Sequence, residues 1–197
     1  MLTVPQEAMD GTIPFDEEWP SAGNIVFKNV CLKYRPGTEI ILNGLSFEAK
    51  AGEKIGVVGR TGAGKSTICL SLSRIVEIFD GQILIDGIDI RTTDLAYLRS
   101  RITVIPQDPT IFTGTLRFNL DPEGRVGDDR IIELLKAAQL EDLLRKSENG
   151  LDTDLQEGGT NLSSGERQLL CICRAILRRS KVVILDEATA NIDVVTE

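Results

Sequence analysis

The chain contains no histidine, a single tryptophan and no apolar run long enough to cross a membrane. Without imidazole, Ser-His-Asp and Cys-His nucleophile pairs are excluded, as are zinc sites built on histidine, and no side chain has an unperturbed pKa near neutrality. Proton transfer must therefore use carboxylates, Lys, Tyr or water. Residues Met1 to Asp10 lack the basic stretch and apolar stretch of a secretory signal, and no segment approaches the ~18 uncharged apolar residues of a bilayer span. The chain as it stands is expected to be soluble and unsecreted. A basic stripe is missing too: 22 Lys and Arg stand against 30 Asp and Glu, a net charge of −8, which argues against nucleic acid as a partner. Cys31, Cys69, Cys171 and Cys173 show no framework spacing, and reduced thiols are expected.

What is present is an ordinary globular composition, 197 residues with 42% apolar and 26% charged, which suits one domain with room for sub-domains. Residues 1–23, with Pro5, Pro14, Pro20 and the acidic Asp16, Glu17 and Glu18, read as an extended linker, and the domain proper starts near Asn24. Ile25 to Tyr34 alternates like a strand, and Ile40 to Phe47 is interrupted by the turn signal Asn43-Gly44, so an antiparallel β region is predicted first. Lys54 to Val58 reads as a short apolar strand, followed by a glycine-rich turn and a helix from about Gly64 to Glu77. Asp80-Gly81 and Asp86-Gly87 bracket a strand, Asp94 can cap a short helix, and Ile102 to Ile105 reads as another strand. From Asp108 the periodicity turns helical, with Asp128 or Asp129 capping an apolar run. A helix from about Ser163 to Arg178 and a buried strand Val182 to Leu185 follow.

Gly59-Arg-Thr-Gly-Ala-Gly64-Lys65-Ser66 fits the phosphate-loop pattern of glycine, four residues, glycine, lysine and a hydroxyl residue. For this composition about 0.01 such matches arise by chance, and the predicted strand before and helix after supply the required context. Gly59, Thr61, Gly62, Ala63 and Gly64 can turn backbone N–H groups toward phosphate oxygens, the helix N-terminus adds partial positive charge, and Lys65 adds a full one. That local field outweighs the acidic net charge. Ser66 would offer its hydroxyl to Mg²⁺, and Thr67 another to phosphate.

Such a loop needs a carboxylate beside Mg²⁺ at the end of a buried strand, and Asp186-Glu187 follows Val182 to Leu185. Asp186 suits the metal; Glu187, pointing the other way, can polarise a water for in-line attack on the γ-phosphate, which favours hydrolysis over phosphate transfer.

Leu162-Ser163-Ser164-Gly165-Glu166 resembles the signature sequence of ATP-binding cassette (ABC) ATPases and precedes the Asp186-Glu187 strand at that family's spacing. The likeness runs from about Trp19 to the end and is strongest to the second nucleotide-binding domain of the multidrug resistance-associated subfamily, subfamily C. Trp19-Pro20, Gly23-Asn-Ile25-Val-Phe27, Leu32-Lys-Tyr34-Arg-Pro36 and Glu157-Gly158-Gly159 carry it. The resemblance implies an α/β P-loop NTPase with a RecA-like core, an N-terminal antiparallel β sub-domain and an inserted helical sub-domain, truncated at its C-terminus. In those terms residues 24–107 hold the β sub-domain and core, 108–178 the helical sub-domain, and 179–197 the last core strand and aspartate loop.

It also implies roles. Tyr34 would stack on adenine; Gln107, in Ile105-Pro-Gln-Asp108, would sense Mg²⁺ and couple to the membrane domains; Lys65 and Glu187 would serve hydrolysis. Ser163 and Gly165 would donate to the γ-phosphate of ATP held by a partner nucleotide-binding domain, with Asp193 along the same interface. The cofactors implied are ATP and Mg²⁺, the partners a second nucleotide-binding domain and the transmembrane domains, and the location the cytoplasmic face of a membrane reached only through those domains.

There are two departures from the family pattern. Family signatures commonly end in Gln, whereas Glu166 places a carboxylate where a like-charged polyphosphate is expected, though the charge suits its own helix N-terminus. The family's switch histidine lies on the strand after the aspartate loop, beyond Glu197. A transporter motor that hydrolyses ATP is the main reading. A regulatory module that binds ATP and gates a membrane partner is the alternative, and Glu187 is the residue that discriminates them. A soluble ABC ATPase acting on DNA or ribosomes fits the acidic balance poorly, and no Asn-Lys-x-Asp guanine-reading motif occurs.

Overall fold

The computed structural model describes residues 11–12, 18–145 and 149–186; Glu187 and Asp193 lie outside them. The chain divides into two compact units, Met1–Thr103 and Val104–Glu197.

The first unit is organised by a four-stranded antiparallel sheet. Strand β1 (Ile25–Leu32) pairs with β2 (Leu42–Ala49) on one side. On its other side it pairs with β3 (Asp80–Ile85), and β3 pairs with β4 (Ile88–Asp89) through the Asp86-Gly87 turn, giving the order β2-β1-β3-β4. Phe27, Val30, Leu32, Leu42, Ile83 and Ile85 are buried, and the Phe27 and Phe47 rings stack at 4.5 Å. The predicted turn at Asn43-Gly44 does not form. These residues lie inside β2, where the three-residue step from Leu42 to Leu45 opposes the two-residue step from Val30 to Leu32, and Gly44 has φ +65°. The turn chemistry is used for a bulge. The β1–β2 connection bends instead at Arg35, whose carbonyl accepts the Thr38 N–H and hydroxyl.

Lys54 to Val58, predicted as a strand, is not one: Val58 is 93% exposed, Ile55 and Val57 are also exposed, and none of the described strands pairs with this run. An apolar pattern alone does not make a strand; a neighbour must take its N–H and C=O groups. Helix α1 (Lys65–Leu72) stops short of the predicted Glu77. Beyond it Arg74 has φ +49°, and Arg99 donates to the carbonyls of Ser73 and Arg74, groups that a longer helix would use for its own next turn. Helix α2 (Leu95–Arg101) starts as predicted, with the Asp94 carboxylate accepting the Tyr97 N–H at 2.8 Å.

The segment read as an extended linker is packed in its described part. Trp19 is 3% exposed, its indole N–H donates to the Ile85 carbonyl at 3.0 Å, and its ring stacks on Tyr97. The Asp86 carboxylate accepts the N–H groups of Ala22, Gly23 and Asn24 at 2.9, 3.1 and 2.7 Å. Residues 18–24 carry no helix or strand, yet Trp19 and Pro20 are buried.

The second unit is mainly helical. Strand β5 (Ile102–Ile105), which spans the junction, leads in; β6 (Gly114–Thr115) follows, then α3 (Leu116–Leu120), capped by the Thr115 hydroxyl. Next come α4 (Asp128–Ala137), α5 (Glu141–Arg145) and β7 (Asp154–Leu155), which pairs antiparallel with β6. Helix α6 (Ser164–Arg178) and β8 (Val182–Leu185), which pairs with β5, complete it. Leu116, Leu120, Ile131, Leu135, Leu143 and Leu170 form its core. Neither Asp128 nor Asp129 is the cap of α4. Gly127 holds that position, and both acids lie in the first turn, where the helix dipole favours them and Asp128 pairs with Arg117.

All four cysteines are free thiols; Cys171 and Cys173 are buried, and burial pushes Cys173 up to about 11. No helix among the described residues is long and apolar enough to cross a membrane.

Candidate nucleotide-binding site

In the first unit the phosphate-loop residues form a turn that feeds α1. Gly64 is the N-cap at φ +86°, and a Cβ there would meet Leu42 Cδ2 at 3.1 Å and Ile41 Cγ2 at 3.2 Å, so the close approach needs glycine as much as the dihedral does. No side chain caps this helix and no acidic residue stands in its first turn, which leaves its electropositive end without a resident counter-charge. The Ala63 N–H donates to the Arg60 carbonyl at 3.0 Å. Lys65 folds back over the loop, its Nζ donating to the carbonyls of Gly59 at 2.9 Å and Arg60 at 3.2 Å. Thr61, Gly62 and Ala63 are exposed on the loop, and Ser66 is exposed on the first turn of α1.

Tyr34 belongs to this group of residues. Its hydroxyl lies 2.8 Å from Thr67 Oγ1, and its half-exposed ring lines an open pocket with Arg35, Thr38, Glu39 and Ile41. These four neighbours escaped the sequence reading. Their signal was Pro36-Gly37, a turn that curls the chain back beside Tyr34.

In the second unit the Asp186 N–H donates to the Ile105 carbonyl at 3.0 Å, so the end of β8 is fastened to the end of β5, and Gln107 is exposed two residues further along. Ser163 is the N-cap of α6 and Gly165 the second residue of that helix. The Ser163 N–H donates to the Glu166 carboxylate at 2.7 Å, and the Glu166 N–H donates to Ser163 Oγ at 3.1 Å. Arg167 steadies the loop ahead of the helix by donating to the Leu162 carbonyl at 2.8 Å. Glu187, assigned to catalysis, and Asp193, assigned to the interface, are outside the described residues.

A helix end without a side-chain cap, preceded by a glycine-rich loop with a lysine ammonium folded over it, is a setting suited to a polyanion. This defines a P-loop nucleotide-binding domain. The ABC transporter family profile matches residues 42–190, and the chain belongs to that family. It is 50% identical over 181 residues to ATP-binding cassette sub-family C member 3 of Rattus norvegicus, covering 92% of this chain and 12% of that protein. Against the Homo sapiens protein of the same name it is 47% identical over 189 residues, covering 96% and 12%. Against ABC transporter C family member 13 of Dictyostelium discoideum it is 48% identical over 191 residues, covering 97% and 14%. The structure of a bacterial Atm1-family ABC exporter with ATP bound superposes with a TM-score of 0.82 at 31% identity, over 98% of this chain and 33% of that one. The chain thus corresponds to the ATP-binding domain of the family and spans 12–14% of the length of these relatives.

Proposed function

We propose that the chain is the ATP-hydrolysing motor domain of an ABC exporter, Mg²⁺-dependent and driven through an ATP-sandwiched dimer with a second nucleotide-binding domain. The observation that carries this reading is the phosphate loop, with Lys65 held over the Gly59 and Arg60 carbonyls beside an uncapped α1. Lys65 and the backbone of Gly59 to Gly64 hold the phosphates; Ser66 and Thr67 add hydroxyls, and Tyr34 is the platform for the base. Ser66, Gln107 and Asp186 are the residues suited to Mg²⁺, which when bound would neutralise charge on the phosphate oxygens. Glu187 orients and polarises the attacking water, a role read from its place after Asp186. Ser163 and Gly165 face the nucleotide of the partner domain, with Asp193 along the same interface, and Gln107 reports to the transmembrane domains. The domain then works on the cytoplasmic face of a membrane; the sub-family C relatives and the Atm1-family exporter support that placement.

Titration of the chain with ATP and Mg²⁺ tests the assignment. Lys65→Ala removes the ammonium held over the loop and is expected to abolish measurable binding. Undiminished affinity in that variant overturns the phosphate-loop reading.

A further inference from the structure

Tyr34 and Thr67 are far apart in sequence, yet their hydroxyl oxygens lie 2.8 Å apart. Their exposures are unequal: Thr67 is 3% exposed on the first turn of α1, whereas Tyr34 is 50% exposed on the connection after β1. A half-exposed tyrosine on a loop is otherwise free to turn about its side-chain torsions, and ordering it on binding would cost affinity. The buried hydroxyl removes that freedom beforehand. Thr67 moves with the helix whose N-terminus forms the phosphate site, so the bond ties the orientation of the ring to the position of the phosphate loop. The chemistry allows a relay as well. A hydroxyl pair uses one hydrogen between its oxygens, so whichever group accepts keeps its own O–H for another acceptor.

We infer that Thr67 is a positioning residue for the nucleotide base: its hydroxyl holds Tyr34 in a stacking-ready orientation and makes the site discriminate a nucleoside triphosphate from a bare triphosphate. This rests on the reading of Tyr34 as base platform and of residues 59–66 as phosphate loop. Thr67, singled out from the sequence only as a phosphate hydroxyl, thereby acquires a role toward the opposite end of the ligand.

The test compares ATP with inorganic tripolyphosphate, each with Mg²⁺, in calorimetric titrations of the full chain. Tyr34→Phe removes the hydroxyl and keeps the ring; Thr67→Val removes the hydroxyl and keeps the shape. A neutral hydrogen bond is worth about 0.5–1.5 kcal/mol, so Tyr34→Phe is expected to weaken ATP about two- to twelvefold while tripolyphosphate affinity stays unchanged; Thr67→Val, which also removes a phosphate hydroxyl, is expected to weaken both ligands, ATP by the larger factor. The double variant is expected to lose no more ATP affinity than Thr67→Val alone, and Thr67→Ser to restore ATP binding. If Thr67→Val does not fold, Tyr34→Phe at the exposed ring decides alone. Equal losses for ATP and tripolyphosphate in Tyr34→Phe, or ATP losses that multiply in the double variant, overturn the proposal and leave the phosphate loop standing. Wild-type chain that binds neither ligand overturns the phosphate-loop reading and this inference with it.

Discussion

The Glu166 carboxylate accepts the Ser163 N–H at 2.7 Å while Ser163 Oγ accepts the Glu166 N–H at 3.1 Å, so each residue satisfies the other's backbone donor at the start of α6. This reciprocal capping box gives a structural reason for the acidic residue that departs from the family signature. The carboxylate also complements the positive end of its own helix dipole. Its negative charge is spent on local structure, whatever it costs a phosphate brought by a partner.

Glutamine at this position can make the same box, whereas alanine at the cap cannot. Ser163→Ala is expected to lower stability by about 1 kcal/mol, and Glu166→Gln by less than about 0.5 kcal/mol, in urea unfolding followed by circular dichroism. Equal losses in the two variants would show that charge, not the reciprocal bonds, holds this helix end.

Gly64 and Gly62 offer an internal comparison. Both have positive φ, +86° and +81°, but a Cβ at Gly64 would press on Leu42 and Ile41 whereas one at Gly62 meets nothing within 4 Å. Gly62→Ala carries the left-handed strain alone, about 1 kcal/mol. Gly64→Ala adds displacement of the β2 side chain and is expected to cost about 2–3 kcal/mol and to weaken ATP binding further, since the first N–H groups of α1 shift with it. A melting series with ATP titrations checks both; equal behaviour would remove the contact with Leu42 and Ile41 from the argument.

The helix starts around the candidate site were legible because their chemistry is local in sequence. The helix after the phosphate loop, the helix from about Ser163 and the Asp94 cap depend on residues within a few positions of one another, and the structure starts helices at those places, although the strand expected before the loop does not form. What escaped depends on distant partners. Lys54 to Val58 has the composition of a strand, but pairing is not written in the run itself, and Val58 stands exposed. Asn43-Gly44 has the chemistry of a hairpin turn, yet the same positive φ serves a bulge when β1 continues opposite it. The pairing of Tyr34 with Thr67 had no sequence signal, because each residue had its own separate reading.

Trp19 is the largest departure from the expected linker. Buried, stacked on Tyr97 and bonded to the Ile85 carbonyl, it anchors the incoming segment to β3 and α2. Trp19→Ala opens a cavity and is expected to cost about 3–5 kcal/mol. Trp19→Phe keeps an aromatic ring on Tyr97 but loses the donor to a buried carbonyl, at about 1–3 kcal/mol. Denaturant unfolding by circular dichroism separates the two; a loss below about 0.5 kcal/mol for Trp19→Ala would return this segment to the status of an unpacked arm.

Asp86 fastens the same segment, and its contribution has a definite pH signature. Burial pushes its carboxyl up, but the N–H groups of Gly23, Ala22, Asn24 and Ser21 outweigh that effect and hold it below its ordinary value of 3.8. A carboxyl depressed on folding adds stability that is complete above its unfolded pKa and is lost as pH falls through the folded value. Asp86→Asn has no such titration and still cannot offer a charged acceptor to those donors. Wild type is therefore expected to be the more stable protein at pH 7, by a margin that stays level down to about pH 5 and shrinks below about pH 4. Urea midpoints of both proteins from pH 7 to pH 3 measure that margin; a gap that persists unchanged to pH 3 would mean that the Asp86 clasp acts through shape and not through its charge.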